Sequence, residues 1–189
     1  NKGGRIKNQR VVSLKSLGRW EKIGLPGHGP GVIVNCAGLG ARELNSDPAT
    51  YPMMGQVVRT ENPGLTNVVV DEGNPGGLTY IVPRTDDCIL GGTTTRGQEQ
   101  AEICGDTTES ILARCQALEP KLVGAKVLSS KAGLRPCRPE VCLMDVDTSF
   151  GYVLVHNYGH GGAGVTLSWG CAAEVRERLL ARHNTSLSA

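Results

Sequence analysis

The chain has 189 residues, 26 glycines, 4% aromatic residues and a formal net charge of +2. That length holds one domain or an interlocked pair, and so much glycine beside so few aromatics points to turns and close backbone approaches rather than a helical bundle. Lysines and arginines are scattered without a basic run, no apolar stretch is long enough to span a bilayer and no signal peptide is apparent, which argues against nucleic acid and membrane partners.

Strand-like segments come first. RVVSL (10–14) and VIVNC (32–36) are β-branched runs too short for helices, and the second stops at the glycine-punctuated turn AGLGA. QVVRT (56–60) and NVVV (67–70) follow. LTYIVP (78–83) and CILGGT (88–93), separated by RTDD, are predicted to form an antiparallel hairpin with Asp86 and Asp87 in a solvated turn. DTTESILARCQALEP (106–120) is predicted as a helix. Asp106 caps it, Glu109 lies at capping-box spacing, and Ile111, Leu112, Cys115 and Leu118 form its apolar face. AKVLS (125–129), EVCLM (140–144) and YVLVHN (152–157) are further strands. GCAAEVRERLLAR (170–182) is a final helix, with Cys171, Val175 and Leu179 on one face and a Glu174–Arg178 pair. The fold class is α/β with α+β character: antiparallel strands in the middle of the chain, strand-then-helix units at its ends.

The seven cysteines are odd in number and irregularly spaced, with no CxxC pair. They read as reduced, mostly buried thiols rather than a disulfide framework or a zinc site. His156 and His160 are spaced i,i+4, but glycines interrupt any helix there and no further metal ligands are found, so no metal is expected. No Ser or Cys sits in a nucleophile elbow, which weakens a hydrolase reading.

Two stretches carry chemistry. In HNYGHGGAGVT (156–166), Gly159, Gly161, Gly162 and Gly164 follow an apolar strand and precede a helix. Such a turn can converge backbone N–H groups on an anion, and the helix N-terminus adds partial positive charge. It suits a phosphate, a carboxylate or the electron-rich end of a heterocycle. A plain tight turn explains the glycines alone at least as well, and the stretch is neither a GxGxxG that opens a βαβ unit nor a P-loop, so a nucleotide phosphate is not specifically indicated. In GLRPCRP (133–139), Pro136 and Pro139 stiffen the backbone after Arg135 and Arg138. A held guanidinium is a carboxylate receptor, and a structural ion pair is the equal alternative. Tyr80 is an ordinary strand aromatic or a hydroxyl beside such an arginine.

Taken together, VIVNCAGLGA, GQVV, GGLTYIVPR, ILGGT, QALEP, GLRPCRP and HNYGHGGAGVTLSWG resemble the C-terminal half of the D-amino acid oxidase family, which includes D-aspartate oxidases. The resemblance covers most of residues 5 to 180, in family order. It implies an FAD-dependent oxidase with an antiparallel-rich substrate domain, divided as 1–54 (part of the FAD-binding domain), 55–148 (substrate-binding domain) and 149–189 (return to the FAD-binding domain). The implied reaction passes a hydride from Cα of a D-amino acid to flavin N5, with oxygen as second substrate, giving a 2-oxo acid, ammonia and hydrogen peroxide. Under it, Arg135 clamps the substrate carboxylate, Tyr80 assists, and the Gly162 carbonyl receives the substrate amine. Gly161, Gly162, Gly164, Val165 and Thr166 lie against the pyrimidine end of FAD. Ala163 stands where many relatives carry a tyrosine, and Gly76 where some place another. D-aspartate oxidases often carry an arginine directly after GGT. Thr94 stands there, with Arg96 two residues on, so neutral D-amino acids are the expected substrates and D-aspartate the alternative. A glycine or sarcosine-type amine oxidase is a third reading.

The family's N-terminal GxGxxG unit has no counterpart. GLGARE (38–43) lacks its third glycine, and GHGPG (27–31) reads as a loop. The expectation is the C-terminal portion of a longer oxidase, completed by an N-terminal segment of the same enzyme, with strand edges and an apolar face exposed when alone. The reading from another class is a non-catalytic binding module or an inactive fragment needing a partner chain. A homodimer stays open, as does a cytoplasmic or peroxisomal location. The chain ends NTSLSA rather than SKL.

Overall fold

The computed structural model describes residues 4, 6–18, 31–140 and 144–187, with side chains as far as 182. In chain order its elements are β1 (Val32–Asn35), α1 (Ala41–Leu44), β2 (Tyr51–Glu61), β3 (Val69–Asp71), β4 (Thr79–Pro83), β5 (Asp87–Gly91), β6 (Thr95–Arg96), α2 (Gly105–Leu118), β7 (Val127–Cys137), β8 (Val146–Asp147), β9 (Val153–His156) and α3 (Gly164–Leu187). They divide into two compact units, Tyr51–Pro136 and the chain ends, Asn1–Thr50 with Cys137–Ala189.

The middle unit is one sheet ordered β3-β4-β5-β2-β6, with β7 also paired to β2. All of its registered pairs are antiparallel, the β4–β5 hairpin among them. Burial along β2 follows the two-residue period of a pleated strand. Pro52, Met54, Gln56, Val58 and Thr60 are buried, while Tyr51, Met53 and Val57 are half-exposed. The inner face joins Val58, Ile81, Cys88 and Leu90 to Ile111 and Cys115 of α2 in a single core. Each fully buried aliphatic side chain there is worth roughly 1.5–3 kcal/mol. The outer face carries no helix of this unit.

The start of α2 differs from its expected form. Cys104, not Asp106, stands at the N-cap, and no side chain of the helix caps it. The Gln56 amide does so from β2. Its Oε1 accepts from Cys104 N at 2.9 Å, and its Nε2 donates to Cys104 O and to Thr108 Oγ1. An amide from β2 thus takes up the N-cap N–H, the group that would donate to the Glu or Gln of a local capping box. Leu118, placed on the apolar face by spacing, is 37% exposed because α2 ends there. Asp87 is not solvated: it is buried beneath Arg59 and Arg84.

A bulge interrupts the edge of β2. Between the pairs Val57↔Gly91 and Met54↔Thr95, β2 advances three residues while the opposing chain advances four. There the N–H of Gln56 donates to the Thr93 hydroxyl, 2.9 Å, in place of a ladder carbonyl.

In the unit of the chain ends, β1 and β9 are parallel, from Val32↔Val153 to Asn35↔His156, and β8 lies antiparallel to β9. Leu14, Tyr152 and Leu154 form the core of this unit. RVVSL is not a strand. Ser16 donates to the Ser13 carbonyl from both its N–H and its hydroxyl, closing a 3-10 turn over Leu14–Gly18. Serine competing for its own backbone in this way overrides β propensity. Leu14 becomes a buried anchor whose carbonyl accepts from the Tyr152 hydroxyl. Val32 and Val34 of β1 remain 43% and 40% exposed, and Trp169 of α3 is 88% exposed. EVCLM and GHGPG lie largely outside the described residues. Only Cys88 and Cys115 are buried among the six described cysteines, none of them in a disulfide, so the expectation of mostly buried thiols is corrected. Among the described residues no helix is long and apolar enough to cross a membrane.

Candidate active site

Two of the expected site residues converge on the outer face of the middle sheet. Residues paired directly across antiparallel strands share a face. Tyr80 and Val57 both pair with Gly91, so all three lie in one row. Gly55 is the next residue of β2 on that face, a diagonal step of roughly 7–8 Å from Gly91. The Tyr80 ring lies over Gly91 and Gly92. A Cβ on Gly92 would come within 2.7 Å of the ring, and one on Gly91 would fall inside it. The Tyr80 hydroxyl has no hydrogen-bond partner among the described residues.

Arg135, on β7, reaches across β2 to Gly55. A Cβ there would fall among its Nη1, Nη2 and Cζ atoms. Nη1 donates to the Thr93 carbonyl at 3.1 Å, the carbonyl that the bulge has freed from the ladder. Among the described residues Arg135 pairs with no carboxylate, and none of its unsatisfied N–H groups is buried. The sheet thus presents a fixed guanidinium and a phenol hydroxyl on one face, the donor set for a carboxylate.

Arg138 plays a different part, in the unit of the chain ends. Its Nε donates to Asp47 Oδ2 at 2.9 Å, with side chains 11% and 9% exposed. Asp47 also accepts from Tyr158, Thr50 and the N–H of Ala49, and Asn45 donates to the Tyr158 hydroxyl. Burial works against the charge on Asp47, but these hydrogen bonds and Arg138 outweigh it and hold the carboxyl below its ordinary value. Burial, reinforced by Asp47, pushes the Tyr158 phenol up to about 12. Of the two arginines in GLRPCRP, one is therefore a structural ion pair and the other pairs with no carboxylate among the described residues.

The glycine turn belongs to the same unit as Arg138. Gly159 and Gly161 adopt positive φ, +92° and +58°, whereas Gly164 is helical and Gly162 is not left-handed. Only two of the four glycines thus use their conformational freedom. A 3-10 turn over Gly161–Ala163 leads directly into α3, whose first N–H groups have no partner within the helix. Gly162, Val165 and Thr166 are exposed. A bare, solvent-facing helix start with a left-handed glycine at its entry fits the electron-rich pyrimidine end of a flavin. His156 and His160 do not converge. The first is buried beside Asn35 Nδ2, at 3.2 Å, and burial pushes its imidazole below the ordinary value despite three nearby aspartates. The second contacts Cys171 Sγ at 3.3 Å. Among the described residues no group of His, Cys, Asp and Glu could hold a metal.

Gly55, Gly92 and Thr93 were missed from the sequence. Glycine inside a strand is a signal of close approach by another group, and GQVV and ILGGT carried it. Arg96 pairs with Met53, on the same face as Gly55, and its guanidinium lies 4.2 Å from the centre of the Tyr51 ring. At Gly76 the stem of Arg114 fills the space: its Cδ would lie 2.5 Å from a Cβ.

Residues 1–178 match the family of DAO, FAD dependent oxidoreductases. The chain is 53% identical over 172 residues to a D-amino-acid oxidase of Rubrobacter xylanophilus, spanning 91% of this chain and 50% of the relative. It is 48% identical over 144 residues to a D-amino-acid oxidase of Streptomyces coelicolor (76% of this chain, 45% of the relative). Against the D-aspartate oxidase of Homo sapiens the identity is 41% over 146 residues (76% and 42%). The chain thus spans about half the length of these relatives. Among solved structures, glycine oxidase from Geobacillus kaustophilus shares the fold with a TM-score of 0.69 at 23% identity, over 80% of this chain and 42% of that one. The chain belongs to the DAO family of FAD dependent oxidoreductases.

Proposed function

We propose that the protein acts in the FAD-dependent oxidative deamination of D-amino acids, giving 2-oxo acids, ammonia and hydrogen peroxide. The observation that carries this is Arg135: a guanidinium fixed by Thr93 and Gly55, paired with no described carboxylate, and sharing a sheet face with the Tyr80 hydroxyl. In this reading the middle of the chain is the substrate-binding domain, expected over 55–148, and the chain ends, 1–54 and 149–189, serve the FAD-binding domain. Arg135 binds the substrate α-carboxylate through charge-assisted hydrogen bonds and Tyr80 adds a third donor. The carbonyl of Gly162 orients the amine. Gly161, Gly164, Val165 and Thr166 offer backbone N–H groups and the positive end of α3 to the flavin, where negative charge is best stabilised by preset dipoles. FAD, when bound, supplies the hydride acceptor and passes the electrons to oxygen.

Neutral side chains are the favoured substrates, because Thr94 rather than a cation follows Gly91–Gly92–Thr93, and a second buried carboxylate without a partner is costly. One observation favours acidic substrates instead: Arg96 shares the outer face with Gly55, one same-face step away on β2. Its stacking on Tyr51 engages the guanidinium, which supports the neutral reading. Comparing kcat/KM for D-alanine, D-aspartate and sarcosine in the holoenzyme tests both choices. A preference for D-alanine supports the proposal, a preference for D-aspartate moves Arg96 into the substrate site, and turnover of sarcosine without D-alanine overturns the substrate class.

A further inference from the structure

We propose that Gly55 is a positioning residue for carboxylate binding, acting through Arg135 together with the Thr93 carbonyl; this rests on Arg135 being the carboxylate receptor. Arginine carries a long, freely rotating side chain, and a guanidinium binds a carboxylate well only when its fork is held in place. Neither Pro136 nor the strand backbone fixes the far end of that side chain. Two contacts do. The first is the absent side chain at position 55: the guanidinium occupies the volume a Cβ would fill, against the backbone of β2. The second is the hydrogen bond from Nη1 to Thr93 O, 3.1 Å.

The second contact traces to the bulge opposite β2. The extra residue removes Thr93 from the regular ladder, so its hydroxyl accepts from Gln56 N at 2.9 Å while its carbonyl turns to Arg135. Gln56 is fully buried on the opposite side of β2, tied to the start of α2 by hydrogen bonds to Cys104 and Thr108. Successive residues of one strand thus serve the two faces: Gln56 anchors the strand to the core, and Gly55 leaves the outer face open for Arg135. Position 55 is not left-handed, so its backbone conformation does not require glycine. The space occupied by Arg135 does.

This separates stability from binding. The atoms that a methyl group at position 55 would meet are the far end of a flexible side chain, which can swing away at little cost to the fold. The swing removes the fork from its place. Gly55→Ala should therefore leave the melting temperature and the bound FAD essentially unchanged while raising KM for D-alanine and Kd for benzoate, an aromatic monocarboxylate probe, by about 10- to 100-fold, the scale expected when a binding group is misplaced by about 1 Å. Thr93→Val, which deprives Gln56 N–H of its acceptor and loosens the Thr93 carbonyl, should move both constants in the same direction.

The decisive experiment is a double-mutant cycle in the holoenzyme with Gly55→Ala, Arg135→Ala and the pair, reading KM for D-alanine and Kd for benzoate. If Gly55 works through Arg135, Gly55→Ala adds nothing further once Arg135 is gone. An equal rise in both backgrounds, or no rise from Gly55→Ala in a folded, flavin-loaded protein whose Arg135→Ala variant has lost affinity, overturns the positioning role alone. Unchanged constants in Arg135→Ala would instead overturn the carboxylate-receptor reading, and the role of Gly55 with it.

Discussion

Arg138 is locked to Asp47 at 2.9 Å, both side chains almost wholly buried, while Arg135, three residues earlier, donates to a backbone carbonyl and pairs with no carboxylate among the described residues. One motif therefore supplies a structural cation and an available one. Removing a partner from a buried ion pair leaves an uncompensated charge and costs about 3–5 kcal/mol. Arg138→Ala should destabilise the protein by that amount in urea unfolding, whereas Arg135→Ala should leave the unfolding midpoint nearly unchanged. Equal losses of stability in the two variants would contradict the division of roles.

Arg135→Ala should instead appear in the kinetics. A hydrogen bond to a charged group is worth about 1.5–3 kcal/mol, so losing a two-point contact should raise KM for D-alanine by at least about a hundredfold. Steady-state kinetics of the flavin-loaded variant decide this. Tyr80→Phe, which removes one donor, should raise KM by about tenfold, the lower end of the same range.

Gly161 has φ of +58°, and a Cβ there would lie 3.2 Å from Cys137 Sγ. A branched side chain in the left-handed region costs roughly 1–3 kcal/mol and would bend the turn that leads into α3. Gly161→Val should lower the ratio of bound FAD to protein, read from the visible and ultraviolet absorbance. A variant with full flavin content would remove this turn from the cofactor site.

Acid should destabilise the protein in two steps. Burial depresses the His156 imidazole, so the unfolded chain takes up a proton first as pH falls below 6.5, and stability is lost from there toward the lower folded value. The Asp47 carboxyl is also held below its ordinary value, through Tyr158, Ala49, Thr50 and Arg138 acting against burial. Its contribution is complete above 3.8 and is lost as pH falls through the lower folded value. Asp87 is depressed by Arg84 and Arg59 in the same sense, but those arginines are 54% and 44% exposed, so solvent screens that share. Melting temperature against pH for the native protein and for Asp47→Asn checks this: the variant should be less stable near neutrality and lose less below pH 3.8.

Much of the fold was legible because its strands are short, apolar and bounded by turn residues. The β4–β5 hairpin, β1 and β9 stand where alternation and Gly, Pro and Asp placed them. The failures share a cause: local signals displaced by partners far along the chain. Asp106 resembled a cap, but Gln56 caps α2 across 48 residues. Asp87 read as a solvated turn residue, but Arg59 of β2 covers it. RVVSL had strand propensity, and a serine turn with a buried Leu14 prevailed. In the candidate site, Arg135, Tyr80 and the glycine turn were named from motif likeness. Spacing could not tell Arg135 from Arg138, since what separates them is Asp47, 91 residues from Arg138. Nor could it show the bulge that frees the Thr93 carbonyl, because register is a property of two strands at once.

The most direct test is the visible spectrum of the purified protein during anaerobic addition of D-alanine. Bound FAD whose absorbance bleaches on D-alanine, and returns with formation of hydrogen peroxide when oxygen is admitted, is the result expected of a D-amino acid oxidase. A flavin band that stays unchanged with both D-alanine and D-aspartate would contradict it.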